Sequence, residues 1–152
     1  MTPPDRSRPA HGVYTFPNQP TIVFVTTCTQ DRMPVLATKE IETALREVWS
    51  RATHWCVSRY VIMPDHVHFF AAMTNESGEL EHWMKYWKRL FHSAHRHTEW
   101  RWQSGHWDTR LRTPQHFQEK WEYVLNNPVR HGLVATPDKW PFQGQLFELP
   151  WD

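Results

Sequence analysis

Two apolar segments, Trp55 to Met63 and His66 to Met73, are separated only by Pro64 and Asp65. Apolar runs of this length favour β-strands, and proline followed by aspartate is typical of a turn. Because so short a connection leaves no room for a crossover, the two strands are antiparallel neighbours. The sequence therefore predicts an antiparallel sheet organised around this hairpin.

The remaining elements alternate around the hairpin. A segment rich in β-branched residues precedes it, and three segments with helical spacing of apolar residues surround it. The predicted order is strand, helix, strand, strand, helix, strand, helix, at residues 21–28, 38–52, 55–63, 66–73, 80–100, 105–111 and 113–127. Helices interleaved with a hairpin predict an α+β fold, a ferredoxin-like antiparallel sheet with helices packed on one face.

The 152 residues suffice for one domain with a hydrophobic core. Residues 1–20 are rich in proline and predict an extended, partly disordered lead-in. Residues 21–152 form the predicted domain, which includes an aromatic C-terminal tail. The mean hydropathy of −0.71 and the lack of a long apolar run argue against a membrane span.

Composition also constrains the setting in which the chain works. Cys28 and Cys56 are too few for a disulfide framework or a cysteine zinc site, so a reduced, cytoplasmic compartment is expected. We find no secretory signal. The formal net charge of +1 argues against binding nucleic acid by bulk charge, so any such role depends on a local basic patch.

His66 and His68 form the first candidate site. Side chains two residues apart in a strand share a face, so both imidazoles point one way while Val67 points into the core. Two such imidazoles can bind one divalent metal ion or one phosphate. The alternative is that two polar side chains simply face solvent on a half-exposed sheet.

Tyr123 and Asn127 form the second candidate site, one turn apart on the last predicted helix. Tyr123 lies at the border of the apolar stripe, where packing holds the ring while its hydroxyl stays reachable. The alternatives are a boundary tyrosine with no chemistry, and an asparagine that only precedes the helix stop at Pro128.

A basic helix face is the third candidate. Its residues recur at helical spacing opposite an aromatic stripe, and they are Lys85, Arg89, His92 and Arg96. Like charges at this spacing repel each other slightly, so a polyanionic partner would stabilise the helix. The alternative is a solvated helix face.

Two longer motifs contain the first two candidate sites, namely YVIMPDHVHFF at residues 60–70 and YVLNNPVRHGLV at residues 123–134. In this order and at this spacing they resemble the REP-associated tyrosine transposases, a domesticated branch of the HUH single-strand transposases. The resemblance covers roughly residues 20–145. It departs from the family at Asp65, where relatives often have asparagine, and in the near-neutral net charge.

The resemblance implies a role for each candidate residue. His66 and His68 would be the metal-binding histidines of the HUH motif, Asn127 would complete the metal site, and Tyr123 would be the nucleophile. The implied cofactor is Mg²⁺ or Mn²⁺. The implied substrate is single-stranded or hairpin DNA, cleaved and rejoined through a covalent five-prime phosphotyrosine by a monomer or homodimer.

Binding to DNA also needs phosphate contacts and stacking surfaces. The candidates for phosphate contact are Lys85, Arg89, His92, Arg96 and Lys120. Three tryptophans in a polar, glycine-containing stretch are candidates for contact with unpaired bases, namely Trp100, Trp102 and Trp107.

Two other functions compete with a strand transferase. The first is a catalytically silent protein of the same fold that only binds single-stranded nucleic acid. The second is an unrelated metallohydrolase that uses His66, His68 and a carboxylate such as Asp65, which would leave the motif around Tyr123 unexplained.

Overall fold

The hairpin at Pro64 and Asp65 lies at the centre of a five-stranded sheet. The structure is a computed structural model and describes residues 20–96 and 99–152. Its elements are β1 (Ile22–Cys28), α1 (Lys39–Arg51), β2 (Trp55–Ile62), β3 (His66–Met73), α2 (Leu80–Ala94), β4 (Trp107–Leu111), α3 (Pro114–Leu125), α4 (Asn127–Arg130) and β5 (Gln143–Gln145). The predicted lead-in, residues 1–20, lies outside the described residues except for Pro20.

The strands form one antiparallel sheet in the order β4-β1-β3-β2-β5. The central strand β3 pairs with β1 from Ala72 opposite Ile22 to His66 opposite Cys28. On its other side β3 pairs with β2, with a register shift in β2 between Val57 and Tyr60. The predicted α+β antiparallel class is therefore confirmed.

Alternation along β3 divides the interior into two layers. Val67 and Phe69 are fully buried in the larger cluster, together with residues of α1 and α2. Phe70 points to the opposite face, where the ring of Phe117 from α3 packs against it with 4.8 Å between centroids.

The predicted packing on one face holds for α1 and α2, whereas α3 covers the other face. The reason is that β1 and β3 carry apolar side chains on both faces, with Val25 and Phe69 on one face and Phe24 and Phe70 on the other. A strand that is apolar on both sides must be covered on both sides.

The second predicted helix ends earlier than its apolar pattern suggested. It was expected to reach Trp100, but α2 ends at Ala94. Trp100 and Trp102 are each only 7% exposed and pack in the core, and Trp102 forms an isolated bridge with Thr29. Core packing of these two rings therefore overrides the helical periodicity, and it contradicts their proposed contact with bases.

The aromatic tail packs back on the domain as predicted, and part of it is regular. Gln143–Gln145 forms β5 and pairs antiparallel with β2. Trp140 is buried, and its Nε1 donates to the carbonyl of Ile62 at 3.0 Å. In the part of the chain that the structure describes, no helix combines the length and hydropathy needed to cross a membrane.

Replacing Val67 by Asp tests the placement of β3. The Val67 side chain is fully buried among apolar residues, so a carboxylate there has no partner. We expect Val67→Asp to lower the free energy of unfolding by about 3 kcal/mol or more, measured by urea denaturation. The control is Thr109→Asp at an exposed position of β4, which should cost about 1 kcal/mol or less. Equal stability of the two variants would contradict the assigned strand faces.

Candidate active site

The two histidines of β3 converge on one point. The Nε2 atoms of His66 and His68 are 3.2 Å apart, and the ring planes meet at 80°. Both rings lie on the same face of the sheet, as the two-residue period of a strand predicts. This is the face that α3 covers. The two side chains therefore place two ring nitrogens side by side, and they are not independent groups facing solvent.

Asp65 orients His66 through Nδ1, the ring nitrogen that faces away from His68. Its Oδ1 lies 2.7 Å from Nδ1 of His66, and its Oδ2 accepts from Nε of Arg32 at 2.9 Å. An ionised carboxylate only accepts hydrogen bonds, so Nδ1 of His66 carries the proton and Nε2 is left with its lone pair. Asp65 thus contacts the far side of the ring and does not face the point where the two histidines converge.

His68 is held by β1. The Thr26 hydroxyl lies 2.8 Å from Nδ1 of His68, and the ring of Phe24 stacks on the imidazole at 5.3 Å and 21°. A hydroxyl can donate or accept, so Thr26 supports either tautomer. The hydroxyl can therefore accept a hydrogen bond from Nδ1–H of His68, which leaves the lone pair of Nε2 available as a metal ligand.

The environment keeps both imidazoles neutral. Burial lowers the pKa of His68 to about 3, and the charges of His66, Arg130 and Lys120 act in the same direction. Burial also lowers the pKa of His66, although the hydrogen bond to Asp65 opposes this shift. For Asp65, burial would raise the pKa, but the bonds from His66 and Arg32 outweigh it and lower the pKa. Neutral histidines are the form that binds metal ions.

Asn127 approaches the histidine pair from the start of α4. It is only 6% exposed, and its side-chain nitrogen Nδ2 lies 3.5 Å from Nε2 of His66, to which it can donate. Thr113 caps the start of α3, accepting from the backbone of His116. At the other end Pro128 lacks a backbone donor, so α3 stops at Leu125 and the chain continues into the short helix α4.

Arg130 connects Asn127 to Tyr123. Its guanidinium donates to Oδ1 of Asn127 at 3.5 Å and lies over the Tyr123 ring, 3.8 Å from the centroid. The Tyr123 side chain is 63% exposed, so its hydroxyl is accessible. Tyr123, Asn127 and the histidine pair therefore belong to one continuous cluster within a single chain.

The donor set fits a divalent metal ion. Two nitrogens bound at about 2.1 Å on adjacent positions of one ion are about 3.0 Å apart, close to the separation observed here. The side-chain amide of Asn127 is the third group nearby: its nitrogen faces Nε2 of His66, and its oxygen, which accepts from Arg130, would reach a metal ion after the amide turns over. Among the described residues, no group of three or more His, Cys, Asp or Glu side chains is arranged to hold a metal, so the site depends on this amide.

The surroundings of the histidine pair are cationic. Nζ of Lys120 lies 5.3 Å from the centroid of the Phe24 ring, which itself stacks on His68. Lys120, Arg130 and His131 all disfavour a positive charge on His68. Positive charges around two neutral imidazoles attract an anion to this part of the surface.

The predicted basic face of α2 lies elsewhere, because α2 covers the sheet face opposite the histidines. Lys85 is paired with Glu81 at 3.7 Å, and Arg89 lies over the ring of Tyr86. His92 is half-buried and accepts from the backbone N–H of Trp102 at 3.2 Å. Lys85, Arg89 and Arg96 are exposed. Of the predicted DNA-binding residues, only Lys120 is near the histidine pair.

Sequence analysis did not identify Thr26 or Arg130 as site residues. Arg130 lies beyond the end of the predicted helix, and its only signal was its place in the motif of residues 123–134 that also contains Tyr123 and Asn127. Thr26 gave no local signal, because its contact with His68 depends on the register between β1 and β3.

Comparison with known proteins supports a transposase-like fold. No protein-family model matches the chain. The REP-associated tyrosine transposase of Escherichia coli (strain K12) is 24% identical over 87 residues, which span 57% of this chain and only 52% of that relative. A structure of a REP-associated tyrosine transposase bound to a REP hairpin has a TM-score of 0.70 at 22% identity, covering 81% of this chain and 75% of that chain.

A putative transposase from Deinococcus radiodurans has a TM-score of 0.49 at 18% identity, covering 69% of this chain and 88% of that one. The resemblance to REP-associated tyrosine transposases is confirmed by the curated relative and by the hairpin-bound structure. With the latter the chain shares the fold.

Acid stability tests the environment of His68. The unfolded imidazole titrates near pH 6.5, whereas the folded pKa is about 3, so between these values the unfolded state binds more protons. This residue alone should therefore lower the free energy of unfolding by about 1.4 kcal/mol for each unit by which the pH decreases within this range. Urea denaturation in metal-free buffer between about pH 6 and 4 should show this extra slope in the wild type and not in His68→Gln. Parallel profiles would contradict a buried, neutral His68.

Proposed function

We propose that the protein is a metal-dependent DNA strand transferase that cleaves and rejoins structured single-stranded DNA through Tyr123. The observation that carries this proposal is the convergence of His66, His68 and Asn127, together with the contact of Arg130 with both Asn127 and Tyr123. The similarity to transposases supports it independently. Both cysteines are free thiols, which fits a cytoplasmic setting.

In this proposal Mg²⁺ or Mn²⁺ would be held by His66, His68 and the side-chain oxygen of Asn127, whose amide would turn over from its present contact with Arg130. Bound there, the ion supplies Lewis-acid polarisation of a phosphodiester. Asp65 and Thr26 keep the two rings oriented toward the same point. Lys120 and Arg130 attract the phosphate and offset part of its negative charge.

The proposed covalent step is carried by Tyr123. Its phenolic oxygen attacks phosphorus, and the bond between phosphorus and the 3′ oxygen breaks. The proton lost by the phenol balances the one gained by the leaving 3′ oxygen. The products are a five-prime phosphotyrosine and a free 3′ hydroxyl. Because the phosphodiester is exchanged rather than hydrolysed, attack by the 3′ hydroxyl of another strand reverses the step and rejoins DNA.

The contacts of Asp65 weigh against the metallohydrolase alternative. Both of its oxygens are engaged, one by the Nδ1 side of His66 and the other by Arg32. A carboxylate in that position orients a ligand and is not itself directed at the shared point between the histidines. A catalytically silent binding protein is distinguished by experiment.

The experiment is covalent trapping on a hairpin oligonucleotide with single-stranded flanks, labelled at its 3′ end. With Mn²⁺ we expect a labelled adduct that survives denaturing electrophoresis, and none with EDTA. Tyr123→Phe should form no adduct yet bind the DNA within about twofold of wild type, because it loses only an exposed hydroxyl.

Tyr86→Phe is the matched control, since Tyr86 is also an exposed tyrosine but lies on α2. It should form the adduct normally. An adduct that persists in Tyr123→Phe would mean another nucleophile, and no adduct from the wild type would favour the silent binding protein.

The salt dependence of binding distinguishes the two cationic surfaces. Each phosphate contact with a single strand contributes about 0.7 to the slope of log affinity against log salt concentration. If the strand crosses the histidine pair, Lys120→Gln with Arg130→Gln should reduce the slope by roughly 1.4. The matched pair Lys85→Gln with Arg89→Gln should leave it unchanged. The reverse result would place the DNA along α2, as the basic helix face predicts.

A further inference from the structure

We infer that Trp107 is a stacking platform for one unpaired base of the DNA strand, adjacent to the phosphate bound at the histidine pair. The inference rests on the proposed function and adds to it a subsite that recognises a nucleobase. It follows from the position of Trp107 in the sheet, its exposure and the charges around it.

Trp107 lies in the same row of the sheet as His68. It pairs with Thr26 across β4 and β1, and Thr26 pairs with His68 across β1 and β3. Directly opposed residues of paired strands point to the same face, and the Thr26 hydroxyl contacts His68 on that face. With about 4.8 Å between neighbouring strands, the Cα atoms of Trp107 and His68 are about 10 Å apart.

The Trp107 side chain is largely exposed to solvent. It is 59% exposed, whereas the other nine tryptophans of the chain are all buried or half-buried. Trp100 and Trp102, the neighbouring tryptophans in sequence, are core residues. The strand pairing nevertheless fixes the backbone of Trp107, so a large flat ring is presented to solvent from a rigid position.

The charges around Trp107 favour a nucleotide whose phosphate lies toward His68. Lys120 lies over Phe24, whose strand partner on β4 is Thr109, two residues from Trp107 on the same face. Asp108 points to the reverse side of β4, where it pairs with His106 at 3.1 Å. Arg110 also lies on that reverse side, so it is Lys120 on the histidine face, close to His68, that favours a phosphate backbone along this face.

A single-stranded nucleotide matches both features at once. Its base offers a π face that stacks on tryptophan regardless of sequence, and its phosphate offers the negative charge that the surroundings attract. Because Trp107 is about two strand spacings from His68, the stacked base belongs to a nucleotide close to the bound phosphate.

The test measures binding to the hairpin oligonucleotide in the Tyr123→Phe background, so that the strand stays intact. Trp107→Thr removes the ring and keeps a residue suited to a strand, and it should weaken binding roughly 5- to 100-fold. Trp107→Phe retains a smaller ring and should recover most of the affinity. Tyr86→Ala removes an exposed aromatic ring on the opposite face and should leave affinity unchanged.

A scan of single abasic sites through the unpaired flanks locates the stacked base. At one or two adjacent positions, loss of the base should weaken DNA binding by the Tyr123→Phe parent, which retains Trp107. The same abasic sites should not weaken binding further when Trp107→Thr is added. Trp107→Val, which also lacks the ring, provides the same comparison if Trp107→Thr is unstable to urea.

The inference is overturned if Trp107→Thr binds like its parent, if every abasic site weakens both proteins equally, or if only Tyr86→Ala loses affinity. Those results leave the proposed function intact when the wild type still forms its Mn²⁺-dependent adduct. A wild type that neither binds the oligonucleotide nor forms the adduct overturns both.

Discussion

The alternation of side chains along β3 is the constraint on which the rest of the structure depends. Val67 and Phe69 anchor the strand in the larger core, and this holds His66 and His68 on the other face at a fixed spacing. Because the strand is central and paired on both edges, its backbone holds the two imidazoles in place. Core packing and site geometry therefore have the same origin.

The electrostatics of the site combine neutral ligands with surrounding cations. Burial keeps the histidines neutral, and the nearby charges of Lys120, Arg130 and His131 act in the same direction on His68. Neutral imidazoles leave their lone pairs free, and the nearby positive charges still attract an anion. This combination suits a centre that binds a metal ion and a phosphate together.

The site is assembled from three segments that are distant in sequence. The hairpin supplies the histidine pair, β1 supplies Thr26, and the segment of α3 and α4 supplies Asn127, Tyr123 and Arg130. The helix break before Pro128 directs the side chain of Asn127 inward while Tyr123 stays exposed one turn earlier. One chain therefore carries every group that the proposed chemistry needs.

The sequence by itself determined the local features of this protein. The hairpin, the shared face of His66 and His68 and the cap at Thr113 follow from strand period, turn residues and capping chemistry, which act over a few residues. The tertiary structure alone decided that α3 covers the histidine face and that Trp107 is exposed beside it. The physical reason is that these outcomes depend on register and packing between segments tens of residues apart, and no local pattern records which segments will meet.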